Sequence, residues 1–396
     1  MRIVYICDFF HPDAGYHPNL LSKYWVRFGH EVVMLTSELE RMPVSLTHFF
    51  DCENIQDKDR AFEEMYGVKI IRCPIYKFVS GRSVYKMEIF RKIRALNPDV
   101  VYVNGNDSLI GMQLTATYAK HSFGLVMDSH MLDMASNNRF KKLYRAFYRK
   151  TFARQIIKYK ISVIRAQNDD YVQRFLGVPL EQCPWISFGS DMLLFHPDEE
   201  RKKKWRESHG LGESDFVLLY AGKVNKTKGL DLFAKAVRDK FCGERNVCVV
   251  IVGATEGKEG KELEEAFQKI ENRVVRFPTQ KYTDLPEFYQ MADLVVFPKQ
   301  CSLSFFDAQA CGVPVVFEDN NINVDRSSAH NAIVFASGSA EKLRDAIETF
   351  LHMEGSEFTD YRKNAVSYVK KHYNYEEKAR EYLPYLQAAA RRKGRL

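Results

Sequence analysis

Between positions 294 and 317 the chain reads LVVFPKQCSLSFFDAQACGVPVVF, and no other stretch restricts the choice of fold as much. Residues 295–297 and 315–317 are branched or aromatic and read as two buried parallel strands, the first ended by Pro298. Phe305, Ala308 and Gln309, followed by Cys311-Gly312, fit a short helix with its glycine stop. A strand that reaches the next one through a helix belongs to an α/β domain with a parallel sheet. Residues 301–304, Ser302, Leu303 and Ser304 among them, then sit at a helix N-terminus beyond the carboxyl end of a strand. Unpaired N–H groups and a positive dipole end hold an anion such as a diphosphate there. Asp307, one turn further in, is in reach of the ribose of such a nucleotide. The same residues also fit a plain strand-loop-helix in which Ser302 is only an N-cap.

The alternation extends through the chain. Residues 2–7 predict a strand, a loop with Pro12 and Gly15 follows, and a helical pattern through Leu20, Leu21, Tyr24 and Trp25 stops at Gly29 before a second strand at 32–35. Gly15 fits a close approach of backbone to a ligand or an ordinary turn. Residues 41–68 read as polar loop with a solvated acidic run, 68–73 and 98–104 as strands, 108–119 as a helix, and 124–127 as a strand that leads into Asp128-Ser129-His130. His130 thus lies just past a strand end. Short strands are expected at 161–164 and 183–188, and the charged, turn-rich stretch 198–214 reads as a linker. A second alternation runs from 216 to 317, and helices at 339–351 and 357–390 close the chain.

Length and an apolar fraction of 45% provide core for two domains. No apolar run approaches the roughly 20 residues of a membrane span, and the N-terminus enters a strand pattern directly, so a cytoplasmic protein is expected. Eight scattered cysteines without C-x-x-C pairs argue against structural zinc. The positive charge belongs to the first 196 residues, which carry 26 Lys and Arg against 20 Asp and Glu. Much of it lies at 69–94 and at 138–160. The second segment, NRFKKLYRAFYRKTFARQIIKYK, reads as one amphipathic helix with Phe140, Leu143, Tyr144, Phe147, Thr151 and Ile156 along one stripe. It suits either an anionic membrane surface or a core-packed helix with a solvated basic face. The chain shows no nucleic-acid-binding module.

The loop 220–230, YAGKVNKTKGL, follows a strand. Gly222 admits backbone close to a ligand, and Lys223 and Lys228 place two cations at the strand mouth, although the spacing is not that of a P-loop. With Gly253 and the 302–304 helix start, this loop completes a candidate diphosphate pocket.

On these residues the chain resembles the family 4 glycosyltransferases of the GT-B architecture. The resemblance is carried by Gly15, by Gly29-His30-Glu31-Val32, by Pro98-Asp99-Val100-Val101 and by Gly189-Ser190-Asp191 with Phe195 and Pro197. It continues in Gly222-Lys223 with Lys228-Gly229, in Ala292-Asp293 with Pro298, and from Asp307 through Cys311-Gly312-Val313-Pro314 to Val316. It implies two Rossmann-like doubly wound α/β domains facing across a cleft: 1–196 for the acceptor, 197–372 for the nucleotide sugar, and a C-terminal segment 373–396 crossing back to the first. It implies a retaining transfer of a sugar from a nucleotide donor, UDP-linked rather than GDP-linked, with no metal or other cofactor. Lys223 and Lys228 would neutralise the diphosphate, Asp307 would bind the ribose, and His130 would stand at the reacting centre. With the basic N-terminal half, the expected acceptor is a lipid-linked glycan of surface polysaccharide assembly, reached at the inner face of the membrane. Two positions depart from the family. Lys223 stands where Arg is usual, and Lys299 stands eight positions before Asp307, where the family has a sugar-binding Glu; Cys301, Ser302 and Ser304 are the polar neighbours left to replace it. A non-catalytic sugar-nucleotide-binding protein and a GT-B UDP-sugar epimerase are the alternatives.

Overall fold

A computed structural model describes residues 1–47, 50, 52–131, 140–255, 257–299 and 302–396. Cys301 and the first two residues of the 138–160 segment fall outside them. The chain forms two compact units, Met1–Phe188 with Glu376–Leu396, and Gly189–Tyr375.

In the first unit the strands are β1 (Arg2–Cys7), β2 (Glu31–Ser37), β3 (Lys69–Cys73), β4 (Ile75–Val79), β5 (Arg82–Tyr85), β6 (Val100–Val103), β7 (Gly124–Ser129) and β8 (Ser162–Arg165). Six of them make one parallel sheet in the order β3-β2-β1-β6-β7-β8, while β4 and β5 form a separate antiparallel pair. Strands β1, β6 and β7 are buried along almost their whole length, because helices cover both faces of a parallel sheet. The second unit contains β9 (Phe216–Ala221), β10 (Val247–Val252), β11 (Arg273–Phe277), β12 (Leu294–Phe297), β13 (Val315–Glu318) and β14 (Ala332–Phe335). Their order, β11-β10-β9-β12-β13-β14, repeats the first sheet. In both, strand order reverses beside the first strand, between β1 and β6 and between β9 and β12. Crevices for ligands open at the carboxyl ends of strands at such a point.

The carboxy-terminal helices Tyr375–Glu381 and Leu383–Arg391 contribute to the first unit. The Trp25 indole donates to the Ala379 carbonyl at 3.3 Å, and Tyr382 packs among Trp25 and Tyr102 with ring centroids 6.1 and 5.9 Å away. A side chain at Gly124 would strike the Ala389 backbone at 2.4 Å, so this helix rests directly on β7.

Four segments differ from the sequence reading. The stretch 198–214 is no linker: Glu199–Ser208 is a helix capped by the Asp198 side chain, with Trp205 and Arg206 buried. Its charges are used inward, since Arg206 pairs with the buried Asp293 and Lys202 approaches the same carboxylate at 3.1 Å. The acidic run lies largely in a helix, Ile55–Tyr66, which buries Phe62 and turns Asp59 toward Arg72 at 2.7 Å. Residues 183–188 form no strand, only an isolated bridge from Trp185 to Arg165. The basic segment is two helices, Lys141–Lys150 and Phe152–Tyr159, broken at Thr151 (φ −113°, ψ −78°). Their buried residues are Tyr148, Ala153 and Ile156; Phe140, Leu143 and Phe147 of the predicted stripe are exposed at 66, 71 and 54%.

Candidate functional site

In the first unit the polar residues gather at the carboxyl ends of β6 and β7. Asp128, the fifth residue of β7, is fully buried and accepts from Tyr102 Oη at 2.7 Å, Asn104 Nδ2 at 2.9 Å and the Gly105 N–H at 2.6 Å. Its Oδ2 lies 3.0 Å from His130 Nε2 and 3.7 Å from His17 Nε2. Burial alone would raise this carboxyl, but the facing His130, His17 and the hydrogen bonds outweigh it and hold Asp128 at about 2. A carboxylate opposite Nε2 selects the tautomer with its proton there and leaves Nδ1 a lone pair. His130 is about one-third exposed (35%) and packs against Phe188 with a centroid separation of 5.2 Å.

His17 opens the helix His17–Arg27 and is wholly enclosed, with Phe188 5.1 Å from its ring. Burial and the neighbouring His130 push its pKa down to about 3, against the pull of Asp128, so the ring is neutral. The nearest ligand atoms of His17, Asp128 and His130 lie within 4.8 Å of one another, a grouping that could take a divalent cation. Asp128 already accepts from three donors besides facing the imidazoles, which suits a hydrogen-bonded positioning group better. Gly15 sits two residues before the helix, in the loop after β1.

In the second unit the loops after β9, β10 and β12 are packed backbone against backbone. A Cβ on Gly253, whose φ is +141°, would lie 1.9 Å from the Gly222 carbonyl oxygen. One on Gly229 (φ +75°) would meet Lys299 Cβ at 2.8 Å and the Pro298 backbone at 3.1 Å. Within the first loop Asn225 Oδ1 caps the Lys228 N–H at 3.0 Å, and Tyr220 Oη donates to the Lys223 carbonyl at 2.8 Å. Lys226 is drawn to Glu262 at 3.0 Å, while Lys223 and Lys228 are each partly buried in the loop. Beside Gly253 an open cavity of about 430 Å³ is bounded by Thr255, Glu264, Arg276 and Pro278. Arg276 braces it, donating to the Gly253 carbonyl at 3.1 Å and to Glu264 at 2.7 Å.

The helix after β12 is Ser304–Ala310, with Leu303 in the capping position and no side-chain cap. Ser302 Oγ instead accepts from the Ser304 N–H at 3.3 Å, and Arg326 donates to the Ser302 carbonyl at 3.2 Å. Arg326 is itself buried, its guanidinium 5.1 and 4.8 Å from the Phe305 and Phe306 ring centres. Asp307 is nearly buried, and its Oδ1 accepts from Ser190 Oγ at 2.7 Å. Ser190 belongs to the Gly189-Ser190-Asp191 motif, so that motif orients this carboxylate.

Of the residues selected from sequence, Gly222, Lys223, Lys228, Gly253, Ser302, Leu303, Ser304 and Asp307 all lie in the second unit, in the stretches that follow β9, β10 and β12, and Gly15 and His130 lie in the first. Sequence reasoning missed Asp128, His17 and Arg326. Asp128 was readable as a carboxylate inside the apolar run GLVMDSH; nothing in the sequence pairs His17 or Arg326 with its partners.

Residues 201–372 match the family model of group 1 glycosyl transferases. The chain is 30% identical over 163 residues to D-inositol 3-phosphate glycosyltransferase 1 of Catenulispora acidiphila, covering 38% of each chain. It is 34% identical over 172 residues to the D-inositol 3-phosphate glycosyltransferase of Salinispora arenicola, covering 38% of this chain and 37% of that one. These alignments thus span less than two-fifths of the relatives' length. In fold the chain resembles a glycosyltransferase of Rickettsia africae (TM-score 0.73, 14% identity, 98% of both chains). It also resembles Anabaena HepE in complex with UDP and glucose (TM-score 0.72, 17% identity, 98% of this chain and 100% of that one). The two Rossmann-like parallel-sheet domains are those of such enzymes.

Proposed function

We propose that the chain is a retaining, metal-independent glycosyltransferase of family 4 that moves a hexose from a UDP-sugar to an acceptor hydroxyl. One observation carries the reading: the segment that matches the group 1 family, 201–372, holds Lys223, Lys228 and Asp307 in the stretches that follow β9 and β12, with Gly229 and Gly253 packed against neighbouring backbone. Lys223 and Lys228 neutralise the diphosphate as it leaves, with Arg326 adding positive charge beneath the 302–306 turn. Asp307, oriented by Ser190, accepts from the ribose hydroxyls, and the cavity beside Gly253 takes the base. His130, held by Asp128, takes the role at the reacting centre that the family resemblance implies. HepE in complex with UDP and glucose supports the choice of nucleotide.

The acceptor we favour is a lipid-linked glycan in cell-surface polysaccharide synthesis, met by the protein as a peripheral guest on the inner face of the membrane. Phe140, Leu143 and Phe147 stand exposed among basic residues, as on an interfacial helix. Among the described residues no helix is long and apolar enough to cross a membrane.

A thermal-shift panel of nucleoside diphosphates and nucleotide sugars, followed by transfer assays with a chelator present, tests the activity. Stabilisation by UDP and UDP-sugars with transfer to a lipid acceptor is expected. Interconversion of UDP-sugars without acceptor would replace it by an epimerase. A second reading, a sugar-nucleotide-binding protein that transfers nothing, is favoured by exposed Lys299 where the family has its sugar-binding Glu; binding without hydrolysis or transfer is its signature.

A further inference from the structure

The first sheet carries another depression at the opposite end of its strands from His130. Asn97 and Pro98, just before β6, and Ser122 and Phe123, just before β7, line a groove of about 890 Å³. That volume is within the range of about 300–1,000 Å³ usual for small-molecule sites. Met87, Phe90 and Phe123 give it an apolar lining, and Arg91, Arg94 and Lys120 stand along it. Met87 is 67% exposed, an apolar side chain left in water at the groove.

Among the described residues no acidic side chain lines the groove. Glu88, on the same helix as Arg91 and Arg94, is paired one turn on with Lys92 at 3.2 Å. A further cation comes from the chain's end: Lys393 Nζ donates to the Tyr118 and His121 carbonyls at 3.0 and 2.8 Å. His121, stacked on Phe123 at 4.7 Å, is held below its usual pKa by burial and then by the Lys393 and Arg94 charges. Positive charge gathered from three segments around an apolar floor suits one chemistry, an anion with a hydrocarbon tail.

We propose that this groove binds an anionic phospholipid of a bilayer surface, its phosphate on Arg91, Arg94 and Lys120 and its chain against Met87, Phe90 and Phe123. This deepens the membrane part of the reading above and rests on it. It does not require the donor chemistry.

Flotation of the full chain with phosphatidylcholine vesicles, with and without phosphatidylglycerol, tests it. Three proteins are compared: wild type, Arg91→Gln/Arg94→Gln, and Leu143→Ser/Phe147→Ser. Wild type is expected to float only with phosphatidylglycerol, and the arginine variant to bind about thirtyfold more weakly, the worth of two basic side chains at an anionic surface. Both arginines are exposed, so its melting temperature should match wild type. If the arginine variant floats like wild type while the helix variant does not, the groove is overturned and the membrane reading stands on the helix. If wild type floats with neither vesicle, both fall. Dispersed short-chain phosphatidylglycerol should raise the melting temperature of wild type and not of the arginine variant; equal stabilisation by inorganic phosphate would overturn the lipid as occupant.

Discussion

Asp128 Oδ2 lies 3.0 Å from His130 Nε2, and the carboxylate is wholly buried while the imidazole is partly open to solvent. The arrangement anchors an exposed ring from below. Asp128→Ala should therefore act twice. It leaves Tyr102 Oη, Asn104 Nδ2, the Gly105 N–H and the His130 imidazole without their acceptor, costing about 3 kcal/mol in urea unfolding. Together with His130→Ala it should lower turnover far more than UDP affinity; unchanged turnover in both would remove the pair from the reaction.

Acid stability should be governed by the same cluster. His17 has its pKa depressed from 6.5 to about 3, and Asp128 from 3.8 to about 2. For both, the unfolded chain binds the proton more tightly, so the stability they contribute is complete above 6.5 and 3.8 and is lost as pH falls toward 3 and 2. Asp8 works in the other direction, raised to about 6 by burial despite Arg82, so its contribution fades as pH rises through 6. Melting temperature against pH should fall below 6.5 in wild type and fall less steeply in His17→Gln. Parallel curves would show that His17 is not the titrating group.

Lys228→Ala should weaken UDP binding about tenfold to a hundredfold, the loss of one hydrogen bond to a charged group. Calorimetry with a chelator present should give the same wild-type affinity as calorimetry without it. A wild-type affinity that collapses on chelation would put a metal where the lysines are assigned.

Gly253→Ala should cost at least about 2 kcal/mol, since its Cβ has no room against the Gly222 carbonyl and the backbone is left-handed. Gly222→Ala meets only the tip of Tyr220 at 2.8 Å and should be the milder change in the same melt. Equal stability of the two variants would mean the loops are not in contact.

Asp293→Ala should destabilise the second unit by about 3–5 kcal/mol, because Lys202 and Arg206 are then left buried without their counter-charge. Denaturant unfolding that leaves the second unit's transition unmoved would return the 199–208 helix to the status of a tether.

The alternation of strand and helix was legible because fully covered parallel strands are continuous apolar runs, as in 216–221 and 247–252. The glycines after β9 and β10 were legible as places of close backbone approach, here of one loop to the other. What escaped was charge turned inward. EERKKKWRES has the composition of a tether, and its partners, Asp293 lying 87 residues beyond Arg206 and Phe288 against Trp205, make it part of a core. His17 and Asp128 are likewise joined by topology across more than a hundred residues. The 138–160 pattern misled for a related reason: periodicity identified a helix, but Thr151 breaks it and Tyr148, not Phe147, turns inward.

The return of residues 376–396 to the first unit imposes a timetable on synthesis. The second unit has all six of its strands once the ribosome has passed residue 335, and its last residue at Tyr375. The first unit, begun at residue 2, must wait for Tyr382 and Ala389 before Trp25, Tyr102 and Gly124 are covered. The part of the chain made first is thus completed last. A nascent chain halted short of its end would carry a finished second unit and, in the first, an aromatic surface still open to chaperones.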